Sequence, residues 1–393
     1  MKKTVIKAEV VADSINQQGD RLTSLRITFP RIILAEVNTH RMLSKNTSSS
    51  RAIPFKKMVE VVQNDPFIPI AWQKNHSGMQ GNEYLSKFDK YNLVDFITTM
   101  TSTLHAMIEG TEEHDKLAKE LDEKIEIIEI SLMQYTTMTR TLDEWWLLAR
   151  DKAVEAASIM YVFGVTKQLC NRLLEPFMWT TMLITGSKEG WNNFFRLRCP
   201  SYYGQYPSWK QACMLNGSLD YGENILNKLL KNKGQAEIHI MDLAEKIYDA
   251  MNESTPEQLV AGMWHIPYMS KIDSSKLKST RGKDVTKEMV KISTAMAARE
   301  SYTVVGNEKN LDYQKQIDLH DRLIEQDPPH SSPLEHCNRA MTPYEYETFI
   351  KGEGVAYMGE EGIRFEDSSA HGWCTNIKGF IPYRYMIDNN LKM

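Results

Sequence analysis

The stretch that most restricts the fold of this 393-residue chain lies at residues 39–54 and reads T-H-R-M-L-S-K-N-T-S-S-S-R-A-I-P. His40, Arg41, Lys45 and Arg51 stand there among short hydroxyl and amide side chains, directly after an apolar run. Ser and Asn offer the backbone local hydrogen bonds that compete with a helix, so the stretch reads as a loop leaving the end of a strand. Cationic forks, hydroxyls and free N–H groups in such a place suit a phosphate or another anionic ligand. A Ser-rich surface loop leading into a helix is the plainer reading of the same residues.

The flanking sequence gives that loop a sheet to hang from. Residues 4–10 (TVIKAEV) and 24–35 (SLRITFPRIILA) are β-branched and alternating or continuously apolar, with a polar turn at 17–20, and predict two strands. Pro30 cannot donate to a ladder and marks an edge or the end of the second strand. A short helix over 55–62 is predicted, stopped by Asn64-Asp65-Pro66. Residues 67–83, rich in Pro, Gly and amides, read as a connector or a second loop lining the site. From about 91 to 165 the period turns helical, with breaks near Gly110 and Asp143. Further helices are predicted over 167–174, 190–198, 235–252, 289–299 and 313–326, with a turn-rich loop at 199–221 and a polar linker at 270–284. After Pro328-Pro329 comes H-S-S-P-L-E-H, and the tail reads as a loop excursion ending in a strand or helix.

Charge and cysteine content exclude several classes. With 47 basic and 51 acidic residues the net charge is −4, which speaks against coating nucleic acid by bulk electrostatics, so any polyanion site must be local. No apolar run approaches the roughly 20 residues of a membrane span, and charges interrupt any signal-peptide core, which predicts a soluble, cytoplasmic protein with no membrane partner. Five cysteines without a CxxC pair indicate buried thiols, neither a disulfide framework nor a zinc site. His330 and His336 flank Glu335 without the helical register of a zincin, so no metal is expected. Walker and G-x-G-x-x-G loops are absent. Arg196 and Arg198 cannot share one helical face, so one turns inward and needs a polar or anionic partner.

In conjunction, five blocks resemble the flavin-dependent thymidylate synthases, often called ThyX. The family pattern R-H-R-x-x-S-x-N-E-x-S-x-R is matched in register by His40, Arg41, Ser44, Asn46, Ser49 and Arg51. N-F-F-R-L-R (193–198) and Q-A-E-I (235–238) resemble the family's N-F-x-x-L-R and A-Q-x-E-I. A-A-R-E-S-Y (297–302) and H-S-S-P-L-E-H (330–336) resemble A-A-R-x-S-Y and H-x-S-P-F-E-H. Those last two blocks precede the arginine motif in the family and follow it here, the order a circular permutation would give. Thr39 and Thr47 replace the family's Arg and Glu.

The resemblance implies an α+β fold, a mixed or antiparallel sheet packed by helices, as one catalytic domain over 1–393 with insertions near 85–150, 200–232 and 340–372. It implies a homotetramer with shared sites, using FAD, NADPH and 5,10-methylenetetrahydrofolate to convert dUMP to dTMP. By position, His40, Arg41, Asn46, Asn193, Ser301, Ser332 and Glu335 would contact flavin. Ser49, Arg51, Arg172, Arg198 and Gln235 would bind the nucleotide, with Arg198 the catalytic group on the pyrimidine. The two threonines also admit 5-hydroxymethylation of dUMP or dCMP, and a non-catalytic nucleotide-binding protein is a remoter alternative.

Overall fold

The computed structural model describes residues 3–75, 83–109, 116, 118–120, 122–123, 138–199, 236–277, 282–302, 312–327, 329–351, 357–358, 364–365 and 370–392. The chain forms two compact units, Met1–Phe67 with Ala157–Met393, and Ile68–Ala156. Residues 85–150, read above as an insertion, fall within the second unit. The proposed insertion at 200–232 and Gln235 lie outside the described residues, as do parts of 340–372.

The first unit is built on a five-stranded sheet of β1 (Lys7–Asn16), β2 (Arg21–Pro30), β3 (Ser44–Thr47), β4 (Trp179–Ser187) and β5 (Glu257–Leu259). Their spatial order is β3-β4-β2-β1-β5. All pairs are antiparallel except β1 with β5, so the sheet is mixed and β3 forms one edge. The β1–β2 turn is held by the Asn16 side chain, whose Oδ1 accepts from the Gln18 and Asp20 amides, and Gly19 takes φ +86° there.

Period-2 alternation sends each strand's residues to two different environments. On one face Leu25, Ile27 and Phe29 lie beside Met182 and Ile184 and pack with α2 (Lys188–Arg198) and α3 (Ile238–Glu253). The latter is amphipathic through Ile240, Leu243, Ala244 and Ile247. Its start is fixed by Glu237, whose carboxylate accepts from the His239 and Ile240 amides. On the opposite face Ser24 pairs with Thr185, Arg26 with Leu183 and Thr28 with Thr181, all of them buried.

That second face is contacted by α4 (Gly282–Glu300), against which α5 (Tyr313–Glu325) packs, and by a small antiparallel sheet. The small sheet has the order β6 (Trp264–His265), β7 (Asn338–Ala340), β8 (Phe380–Pro382). A 3-10 turn at Ser332–Glu335 and the terminal helix α6 (Tyr383–Asp388) lie beside it. The second unit contains the helix Leu93–Ile108 and two short antiparallel strand pairs, Trp72–Gln73 with Tyr84–Leu85 and Tyr91–Asn92 with Thr139–Arg140. Trp72 donates to Asp143 at 2.8 Å and meets Trp146 edge-on.

The architecture is therefore mixed α and β, with a mixed sheet between helical layers, as expected. Three departures from the sequence reading concern strands. β4 lies inside the sheet, between β3 and β2, in a stretch between the two helices expected at 167–174 and 190–198. β3 forms within the expected loop, and the strand expected over 24–35 ends at Pro30, giving way to helical turns at Arg31–Ile33 and Leu34–Asn38. The helix expected at 167–174 is a single turn, Lys167–Cys170, followed by 3-10 backbone over Asn171–Phe177 with Pro176 inside it, where a regular helix would lose a hydrogen bond. The helix expected from 289 begins at Gly282. Cys170, Cys199, Cys337 and Cys374 are buried free thiols. Among the described residues no helix is long and apolar enough to cross a membrane.

Candidate active site

Edge strand β3 carries the loop. In register with β4, Ser44 and Asn46 point to the polar face while Lys45 and Thr47 point to the other. The loop ahead of it lies tightly against β4 and α2 because two glycines leave room. A Cβ on Gly186 would sit 2.3 Å from Leu43 Cδ2, and one on Gly190 would meet the Met42 carbonyl at 3.1 Å. Asn376 fastens the loop from the far end of the chain, donating to the Met42 carbonyl and to Ser44 Oγ at 3.2 and 3.1 Å.

Asn46 is where three separate blocks of sequence meet. Its Nδ2 donates to the Ala297 carbonyl, and its Oδ1 accepts from Ser332 Oγ at 3.0 Å and Ser301 Oγ at 3.4 Å. The Ser49 amide donates to the Ser301 carbonyl at 3.0 Å. The matched loop, A-A-R-E-S-Y and H-S-S-P-L-E-H are thus brought together on one edge.

A second cluster forms around His40, which is buried and meets Phe194 of α2 edge-on at 4.7 Å. Arg198, at the end of the same helix, donates from Nε to His40 Nε2 at 3.0 Å and from Nη2 to Thr39 Oγ1 at 3.4 Å. Burial, then the Arg198 and Lys45 charges, push the His40 imidazole down to about 4, so it is a neutral acceptor at neutral pH. Lys45 donates to the His40 carbonyl at 2.6 Å; its own value is lowered by burial against the opposing charge of Glu335. Glu335 in turn pairs with Arg384. Of the two α2 arginines, Arg196 is exposed and Arg198 is the one turned inward.

The remaining expected residues lie nearer the surface. Arg41, Arg51, Arg172 and Asn193 are exposed, and Ser49 is half-buried. Arg172 lines a cavity of about 490 Å³ with Arg31, Asn38 and Glu175. That cavity adjoins the loop, because Glu175 accepts from Ser50 Oγ and Arg31 donates to the Ser48 carbonyl. Sequence reasoning misses Glu175, Asn171 and Asn376, which hold the loop by hydrogen bonds to its backbone or hydroxyls. Nothing in their local sequence distinguishes them from other polar residues.

The polar face also holds a buried chain that the sequence does not announce. His265 Nδ1 meets Ser14 Oγ at 2.9 Å and its Nε2 meets Ser24 Oγ at 2.8 Å. Ser24 bonds Thr185 Oγ1 at 2.6 Å, which bonds His336 Nδ1 at 2.8 Å. Burial pushes both imidazoles down to about 3, so both are neutral. Beside this chain, Arg26 donates to Glu300 at 2.9 Å, and Glu300 also accepts from Tyr268 at 2.9 Å.

No family model matches this chain, and no curated protein matches it. Among solved structures, the UMP/dUMP methylase PolB from Streptomyces cacaoi bound with 5-Br UMP is similar at 11% identity, with a TM-score of 0.30, over 62% of this chain and 87% of that one. The same methylase bound with 5-Br dUMP gives 10% identity and a TM-score of 0.28, over 60% and 99%. Similarity at that level carries no argument about this chain.

Proposed function

We propose that the chain is a flavoenzyme that transfers a methylene group from 5,10-methylenetetrahydrofolate to C5 of a pyrimidine deoxynucleotide, converting dUMP to dTMP with NADPH as reductant, in a homotetramer with shared sites. The observation that supports this most is the convergence of Asn46 with Ser301 and Ser332, and of His40 with Arg198, from blocks scattered over the chain. The donor chemistry fits a flavin dinucleotide: Arg41 and Arg51 are exposed cations without an ion pair among the described residues, set beside hydroxyls and backbone N–H groups. Arg41, Arg51 and Asn193 would hold the flavin or nucleotide phosphates and amide edges, with Ser49 and Arg172 on the nucleotide. When bound, FAD and folate would supply the hydride and the one-carbon unit.

The chain's own contribution is positioning and charge. Arg198 is held by neutral His40 and by Thr39, which fixes its guanidinium while leaving donors free for the carbonyl oxygens of a pyrimidine. A fixed cation there stabilises negative charge developing on the ring. Asn46 does not reach outward; it locks the serines of the two C-terminal blocks, and thereby the loop, in place.

The test is direct. Purified protein should be yellow, bleach with NADPH and yield dTMP from dUMP and methylenetetrahydrofolate. Arg198→Ala should cut turnover by about 10²–10³-fold or more with flavin retained. A colourless protein, or full activity in that variant, overturns the reading. A second reading, 5-hydroxymethylation of dUMP or dCMP, is favoured by Thr39, which stands where the family pattern has an arginine and engages its hydroxyl with the Glu36 carbonyl and Arg198. Product mass from dUMP and dCMP side by side separates the two.

A further inference from the structure

A second cavity, of about 720 Å³, shares no residue with the site at β3. It lies on the outer side of the small sheet. Because His265 turns inward to Ser14 and Ser24, its neighbour in β6, Trp264, turns the other way and forms a wall of this cavity. Ile266, Met263, Met269 and Met289 complete an apolar lining, in which the three thioethers can adapt to a guest's outline. Its volume is that of an ordinary small-molecule site.

The polar groups around it are mostly donors. Lys287 and Lys392 lie on its lining and form no hydrogen bond or ion pair among the described residues. The Trp264 indole N–H makes no hydrogen bond among them either, and Thr286 adds a hydroxyl. Arg339, opposite Trp264 in register, is neutralised by Glu345 through contacts of 2.6 and 3.2 Å, so it is a polar wall without net charge. Glu257 is the single carboxylate among the lining residues. Two uncommitted ammonium groups against one carboxylate leave one positive charge beside an aromatic face.

We propose that this cavity binds a flat aromatic carboxylate, its ring against Trp264 and the methionines and its carboxylate toward Lys287, Lys392 and the indole N–H. A neutral ring would leave the donors to water, and a cation would meet the two ammonium groups. The site is independent of the chemistry at Arg198.

Calorimetric titration of the full chain with 1-naphthoate, 1-naphthalenemethanol and 1-naphthylmethylamine tests it. Naphthoate should bind saturably with a dissociation constant between about 10 μM and 1 mM. Lys287→Gln with Lys392→Gln should weaken it about five- to tenfold, both lysines being exposed and outside the core. Met269→Trp, at a residue 40% exposed, should fill the cavity and abolish binding with the fold intact by circular dichroism. No saturable binding of naphthoate, equal binding of the alcohol or the amine, or indifference to either set of substitutions overturns the proposal.

Discussion

On the side of the main sheet that meets α2 and α3, Leu25, Ile27 and Phe29 are packed among other apolar groups. On the other side the alternate residues of the same strand, Ser24, Arg26 and Thr28, are buried as well, yet each is polar. The two faces are stabilised by different physics. An apolar face gains by area and tolerates any group of similar volume. A buried polar face gains little net energy from each bond but loses heavily when one partner is removed, so it specifies register and position more than stability. The Asn46 cluster of the candidate site belongs to that second face, at the edge where Asn46 is locked by Ser301 and Ser332, while Arg198 and His40 meet at the end of α2, the helix packed on the first.

The largest expected effect falls on the polar face. Glu300→Ala removes the buried carboxylate that accepts from Arg26 and from Tyr268, and should cost about 3–5 kcal/mol in urea unfolding. Replacing both ion-pair partners with methionine should cost less than the single change. If the single change costs under about 1 kcal/mol, the contrast between the faces fails.

On the apolar face Leu25→Ala should cost about 2–5 kcal/mol, scaling with the cavity left, while Leu25→Met stays below about 1.5 kcal/mol. Equal losses for the two variants would show that this face, too, demands a specific partner.

The smallest effect per increment is in pH. His265 and His336 have folded values of about 3 against 6.5 when free, so below 6.5 the unfolded chain takes up the protons the folded chain refuses. Their contribution is fully present above pH 6.5 and is lost as pH falls toward 3, at about 1.4 kcal/mol per pH unit for each histidine. His336→Gln should flatten that slope by about one proton in urea titrations across this range. An unchanged slope would mean that the buried chain at His336 does not resist protonation.

Much of the apolar face is legible from sequence, and little of the polar one. The strands at β1 and β2 and the helices α3 and α5 follow period-2 or 3.6 patterns, and their apolar residues carry the packing. Strand β4 escapes such a reading because Thr181 and Thr185 are buried on the polar face, so T-T-M-L-I-T offers no clear split between core and solvent. His265 stands in W-H-I-P-Y without a visible role, since its partners Ser14 and Ser24 are 251 and 241 residues away. At the site, the convergence of Asn46, Ser301 and Ser332 is foreshadowed by family-like blocks, not by any local pattern. Arg41, Arg51, Arg172 and Asn193 lie at the surface, where sequence gives a residue type without a direction.

The Asn46 junction also sets a timetable. Its bonds to Ala297, Ser301 and Ser332 span 251, 255 and 286 residues. Contacts of that reach are the slowest for a folding chain to close. On a ribosome adding about 5–20 residues per second, the loop must wait about 15–60 s for the serine that locks it. Throughout that interval the nascent chain carries the basic loop without its clamp, and the edge strand β3 without the turn that comes to lie against it.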